Sequence, residues 1–269
     1  MDNTPHASGS DGSRPQQIST KMVDAFLAVE SPDATAQRND SIRARIARLT
    51  DKQVLGLAGV AFPKDFPPHL IPLVREQLAI TIEQFGDPTA TREQAAAHAA
   101  GQAVMLHFTG AREVLAEVVT CGVGDRIGWA GVARTASCER RLVGRPNCRP
   151  SLNVVAFGVC IQVAAIRAAE RMGTLNPTSG VACGVLAHVA CAELASRLKR
   201  NPDDIRKSAM EFVDWVFDES RGLLLALYMT LQSINAVNPA TITHFAMATN
   251  AMRLDPRDMV ASWFQQECA

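Results

Sequence analysis

VVTCGVGDRIGWAGVA, residues 118–133, decides how this chain of 269 residues is read. Four glycines, Gly122, Gly124, Gly128 and Gly131, crowd into it, and AREVLAEVV (residues 111–119) leads up to it. A strand before such a cluster and a helix after it would open an α/β sheet. A helix before it would make the glycines a helix end and a change of direction. AREVLAEVV reads as helix, and no alternation of strand and helix follows. No stretch of the chain keeps a period of two with strand residues and turn dipeptides. The expectation is therefore an all-α chain, an irregular bundle of about eleven helices.

Proline marks where these helices start. Ser31-Pro32, Asp87-Pro88, Asn176-Pro177, Asn201-Pro202, Asn238-Pro239 and Asp255-Pro256 each set a capping residue before a proline. Proline suits the first helical position, and Asp, Asn or Ser before it accepts from the free amides. Thr50-Asp51-Lys52-Gln53 and Thr91-Arg92-Glu93-Gln94 are capping-box spellings. Apolar spacing between the marks is helical, most plainly at Ile205, Ala209, Phe212, Val213 and Val216. It predicts helices near 20–30, 33–48, 51–61, 69–85, 91–107, 110–120, 152–172, 179–199, 202–218, 220–236, 240–253 and 256–267. The expected organisation is a disordered tail over 1–19, a helical half over 20–120, a Gly/Arg-rich loop over 121–150 and a helical core over 151–269.

The glycine cluster invites comparison with the phosphate turn of dinucleotide-binding enzymes. Gly122, Gly124 and Gly128 fall at loosely suitable places, but Cys121 and Arg126 stand where the short-chain dehydrogenases want glycine. The one tyrosine, Tyr228, has Gln232 four residues on and not the lysine that chemistry requires. No cofactor is expected.

Composition narrows the classes. The chain has 27 basic and 27 acidic residues, so no net charge coats it for nucleic acid or membrane, although a local patch is compatible. Seven cysteines without regular spacing suit reduced thiols in a cytoplasmic protein. The opening MDNTPHASGSDGSRPQQIST lacks the apolar core of a signal peptide, and would also suit an effector exported without one. Residues 222–252 hold no Asp, Glu, Lys or Arg. Their asparagines and proline make them two buried helices, and no membrane span is expected.

The residues that carry chemistry each have a plain structural alternative. Cys183, His188 and Cys191 share a predicted helix, with Cys160 on the one before. Zinc needs four converging ligands, usually from short-spaced pairs, so these read as core cysteines and no metal is expected. His98 and His107 lie near Cys121, Glu93, Glu113 and Glu117, but no spacing selects a triad. LASRLKRNPDDIRKSAMEFV (residues 194–213) is similar in outline to a helix-turn-helix, with Lys199, Arg200, Arg206 and Lys207 as candidate nucleic-acid contacts. Against that, Lys199 replaces the usual turn glycine, and Asp203 and Asp204 would face phosphates. RTASCERRLVGRPNCRP (residues 134–150) concentrates Arg134, Arg140, Arg141, Arg145 and Arg149 against Glu139 alone, a candidate site for an anionic partner. Cys138 and Cys148 flank its centre as a candidate redox pair.

The reading these features favour is a helical adaptor, regulator or delivered effector that acts through a protein partner and not as an enzyme. It predicts an exposed apolar patch or a symmetric oligomer interface. A nucleic-acid regulator would instead gather the basic residues on one face. An enzyme would hold His98, His107 or His188 in a pocket beside a carboxylate or thiol.

Overall fold

A computed structural model of the chain describes residues 32–60, 64, 66–85, 90–123, 126–135, 152–174, 181–251, 253 and 263–264. The tail expected over 1–19, the helix expected near 20–30, and Arg140, Arg141, Arg145, Arg149, Cys138 and Cys148 lie outside the described residues. The chain forms two compact units, residues 1–41 and 42–269, and the packing below is that of the second.

In order along the chain, the elements are α1 (Pro32–Arg48), α2 (Asp51–Leu57), a 3-10 turn (Pro68–Leu70), α3 (Ile71–Phe85), α4 (Arg92–Phe108), β1 (Val114–Val123) and β2 (Arg126–Thr135). After these come α5 (Leu152–Arg171), α6 (Val181–Leu198), α7 (Pro202–Glu219), α8 (Arg221–Ser233), β3 (Ala236–Val237) and α9 (Pro239–Ala248). The fold is mostly helical, as the spacing implies. The capping signals account for four of the described helix starts, those of α2, α4, α7 and α9. Asn201 accepts from the Asp203 amide and Asn238 from the Thr241 amide, each at 2.9 Å, with proline next in both. Thr50 and Gln53 complete a capping box, and Thr91 accepts from the Gln94 amide.

The glycine cluster is the correction. Residues 114–123 are a strand and not the helix expected over 110–120, and residues 126–135 are a second strand within the expected loop. The two pair antiparallel from Val114↔Thr135 to Val123↔Arg126, joined by two residues. β3 pairs with the other side of β1, through Ala116↔Val237 and Glu117↔Ala236, giving the order β2-β1-β3. Burial alternates along β1: Val114, Ala116 and Val118 are buried, while Leu115, Glu117 and Val119 are partly exposed. The outward Leu115 and Val119 hide that period in the sequence, because both faces carry apolar residues. Helix α4 ends before it: Gly110 adopts φ +72°, and the Ala111 amide donates back to the Leu106 carbonyl at 3.0 Å.

Helix α4 supplies the centre of the larger core, buried continuously from Gln94 to Phe108. Its alanines and Gly101 let neighbouring backbones come close. A Cβ on Gly101 would lie 2.4 Å from the Ala164 carbonyl oxygen of α5. A Cβ on Gly131 of β2 would lie 1.7 Å from the Ala95 carbonyl oxygen of α4. Gly131 thus serves strand-on-helix contact, and Gly122 and Gly128 lie within strands and not in a turn that opens a helix. Two further bonds fix the outer edge of β2 along α4: the Trp129 amide donates to the Ala90 carbonyl at 3.1 Å, and the Ala133 amide to Gln102 Oε1 at 2.8 Å.

Helix α5 is the one described helix long and apolar enough to cross a bilayer. More than half of that stretch is buried, and the helix packs against α4, α6 and α7, which explains its composition. Its charged end is clamped to α7: Arg167 makes a two-pronged bond to Asp214, and Arg171 bonds Asp214 and Asp218. Phe108, Phe212, Trp215 and Trp263 gather the scarce aromatics in edge and tilted contacts at the end of α4. A smaller core forms around Ile46, Val54, Leu55, Val74 and Leu78, closed by Val185 and Val189 of α6.

Candidate functional surface

The segment from α8 through β3 to α9 has a dry inner side and an uncharged outer side. Leu223, Leu224, Leu227 and Leu231 of α8, Val237 of β3, and Ile242 and Ala246 of α9 enter the larger core. Helix α9 folds back on α8, so that a Cβ on Gly222 would lie 2.8 Å from the Thr249 Cβ. Arg92, the first residue of α4, lies over the Trp129 ring at 4.8 Å and donates to the Gln232 carbonyl near the end of α8. These contacts hold the segment rigidly on α4 and the sheet.

Outward from that base, the large apolar side chains are Leu225 (47% exposed), Met229 (60%), Ile234 (45%) and Met247 (75%). One other described large apolar residue is comparably exposed, Leu73, so four of five belong to this segment. The residues around them are Gln232, Ser233, Asn235, Asn238, Thr243, His244 and Asn250, all exposed. At the overall 20% of charged residues, 31 positions would hold about six charges, and residues 222–252 hold none. The expectation of two helices is met here, but they are half-buried. The missing charge marks an exposed apolar face, of the kind that monomeric proteins rarely leave open without a use.

Among the described residues, the sequence-predicted sites lie apart from one another. Arg134, on β2, pairs with Glu117 across the hairpin at 2.9 Å, so it answers to an acid of its own chain. Lys199 takes the left-handed conformation of the turn glycine, φ +56°, and the Arg200 amide closes the turn on the Ala195 carbonyl at 3.0 Å. The Arg200 guanidinium donates to the Phe264 carbonyl at 2.9 Å, an internal contact. Arg206 and Lys207 are exposed on α7, beside the equally exposed Asp203 and Asp204.

His98 and His107 are buried on α4. Burial lowers the His98 pKa from 6.5 to about 4, which keeps the ring neutral, and burial and then Arg253 lower that of His107. Gln94 and Gln102 share the His98 stripe at i−4 and i+4. The Gln94 side-chain amide, also buried, has no hydrogen-bond partner among the described residues. His188 is exposed, whereas Cys160 and Cys191 are buried free thiols; the Cys183 side chain lies outside the described residues. Burial pushes the Cys191 thiol up to about 11 and raises Cys160 as well, which leaves both protonated and inert. Among the described residues no three His, Cys, Asp or Glu side chains could hold a metal ion. Tyr228 Oη accepts from Gln232 Nε2 at 2.9 Å.

A cleft of about 480 Å³ opens between the end of α1 and α3, lined by Ile46, Ala47, Ile71, Pro72 and Ala79 with Arg43 and Arg75. Both arginines are engaged: Arg43 with Glu83, and Arg75 with Asp51 and the Ile46 and Leu49 carbonyls. No histidine or thiol lines it.

Compared with known proteins, the chain matches no protein family, and no curated protein is significantly similar to it. Geometry alone therefore carries the functional reading.

Proposed function

We propose that this chain is a non-enzymatic helical interaction protein that acts through a protein partner, and that its contact surface is the outer side of α8, β3 and α9. The supporting observation is the coincidence of four exposed large apolar side chains with the charge-free run 222–252. Apolar residues left in water by an otherwise well-buried fold gain free energy when another protein covers them, roughly 25 cal/mol per Å² of apolar surface removed from water. Leu225 and Met229 stand one helical turn apart, the spacing of neighbours on one helix face. Methionine also adapts to the shape of what it meets. Of the arginine-rich stretch, Arg134 is held by Glu117.

Site-specific photo-crosslinking tests the reading. A photo-activatable residue at position 229 in the full chain, exposed to extract of the source cells, is expected to form protein–protein adducts. The same residue at position 207, on the charged face of α7, is expected to form few. Equal labelling from the two positions would refute the assignment of the surface.

A further inference from the structure

We infer that the partner seated on α8 is a second copy of this chain, packed antiparallel about a two-fold axis that passes between Leu225 and Met229. This rests on the interaction reading above and names its occupant. Three observations carry it. The first is charge. In a two-fold interface the same patch meets itself, so every uncompensated charge comes near its like. Like charges brought together across an interface are repelled, and the repulsion selects against the pairing. The exposed surface of 222–250 carries no Asp, Glu, Lys or Arg, so it meets no repulsion from its own copy. Arg221, exposed at the start of α8, adjoins this face, and the antiparallel register that pairs Leu225 with Met229 sets it against the partner's Ser233 and not against its like.

The second is spacing. The exposed residues of α8 are Arg221, Gly222, Leu225, Met229, Gln232 and Ser233, and among them Gly222, Leu225, Met229 and Gln232 stand at intervals of three, four and three. That is the seam by which two helices interlock side chains. Thr249 stands close against Gly222, so Leu225 and Met229 are the large apolar residues of the exposed stripe. Antiparallel pairing sets Leu225 of one copy against Met229 of the other, twice. Met247, at 75% the most exposed large apolar side chain described, stands on the adjoining α9 to flank the seam. The third is size. Of residues 222–250, 22 are at least partly exposed, and one side of a standard interface holds about 20–30 residues.

Sedimentation velocity on the full chain over a concentration series tests this. The wild type is expected to sediment as a dimer. Leu225→Arg and Met229→Glu, both at exposed positions that leave the core intact, are each expected to weaken dimerisation at least tenfold. Mixing the two variants is expected to restore a dimer, because position 225 of one then faces position 229 of the other. A wild type that stays monomeric overturns the proposal, and so does a mixture that dimerises no better than its components. The two readings fail separately. A monomer that still crosslinks from position 229 to another protein removes only the second copy, whereas a monomer that crosslinks to nothing removes the interaction reading too.

Discussion

Replacing Gly131 by alanine tests the contact that makes the hairpin part of the core. The added methyl would lie 1.7 Å from the Ala95 carbonyl oxygen, 2.7 Å from its carbon and 2.8 Å from the Ala99 amide nitrogen. Real Cβ atoms do not come within 3.0 Å of such neighbours, so β2 and α4 must separate by about 1.3 Å. No side chain can rotate away, because all three neighbours are backbone. Two residues to either side, the Trp129–Ala90 and Ala133–Gln102 bonds tie the strand to the same helix, and the shift strains both. Overpacking of a core costs about 1–3 kcal/mol, and backbone on both sides places this case near about 3 kcal/mol. In a domain of this size each kcal/mol moves Tm by roughly 2–4 °C, so the loss is expected to be about 6–12 °C. Thermal unfolding followed by circular dichroism reads it, with Gly158→Ala as the contrast. Nothing lies within 4 Å of a Cβ at Gly158, inside α5, so that change is expected to stabilise by about 0.5–1 kcal/mol. If Gly131→Ala melts with the wild type, strand and helix do not meet as described.

Two more outcomes follow from the caps and the buried ring. Asn201→Ala and Asn238→Ala each remove an acceptor from a helix start and are expected to lower unfolding free energy by about 1 kcal/mol in urea titrations; no change in either would mean that the proline alone sets the start. His98 has a folded pKa near 4 against 6.5 when unfolded, so between those values the unfolded chain binds the extra proton. Stability is then full above pH 6.5 and falls as pH drops toward 4, by up to ~3 kcal/mol from this residue. His98→Gln is expected to flatten the part of the pH dependence between 6.5 and 4.5, and an unchanged slope would show that His98 does not supply it.

Helix starts were readable in the sequence because capping is local chemistry. Asn201-Pro202 and Asn238-Pro239 carry both acceptor and proline within two residues, and the helices begin there. The hairpin was not, because its strands are defined by what they touch. Val114, Ala116 and Val118 are inward only because α4 lies beneath them, and Leu115 and Val119 outward despite their apolarity. One signal was available: Gly124-Asp125, two residues between a valine-rich run and RIGWAGVART, is a hairpin spelling. The candidate surface was half legible. The charge-free run 222–252 stands in the sequence, but which of its apolar residues remain in water depends on how α8 rolls against α4. Arg92 on Gln232, 140 residues away along the chain, helps to set that roll. Lys199 shows the converse, since a residue that spells against the tight turn adopts it once Arg200 is anchored on Phe264.

The bonds from β2 to Ala90 and Gln102 have a consequence for what the protein does at high concentration. A sheet edge with unused amides is a template on which other chains add strands, and runs of aggregation begin there. In this sheet the long outer strand has amides at 129 and 133 already committed to its own chain. The opposite edge, β3, is two residues long, too short to seed a ladder. With two outer amides of β2 engaged by the chain itself, the sheet offers less edge for strand addition while α8 and α9 hold apolar side chains in water.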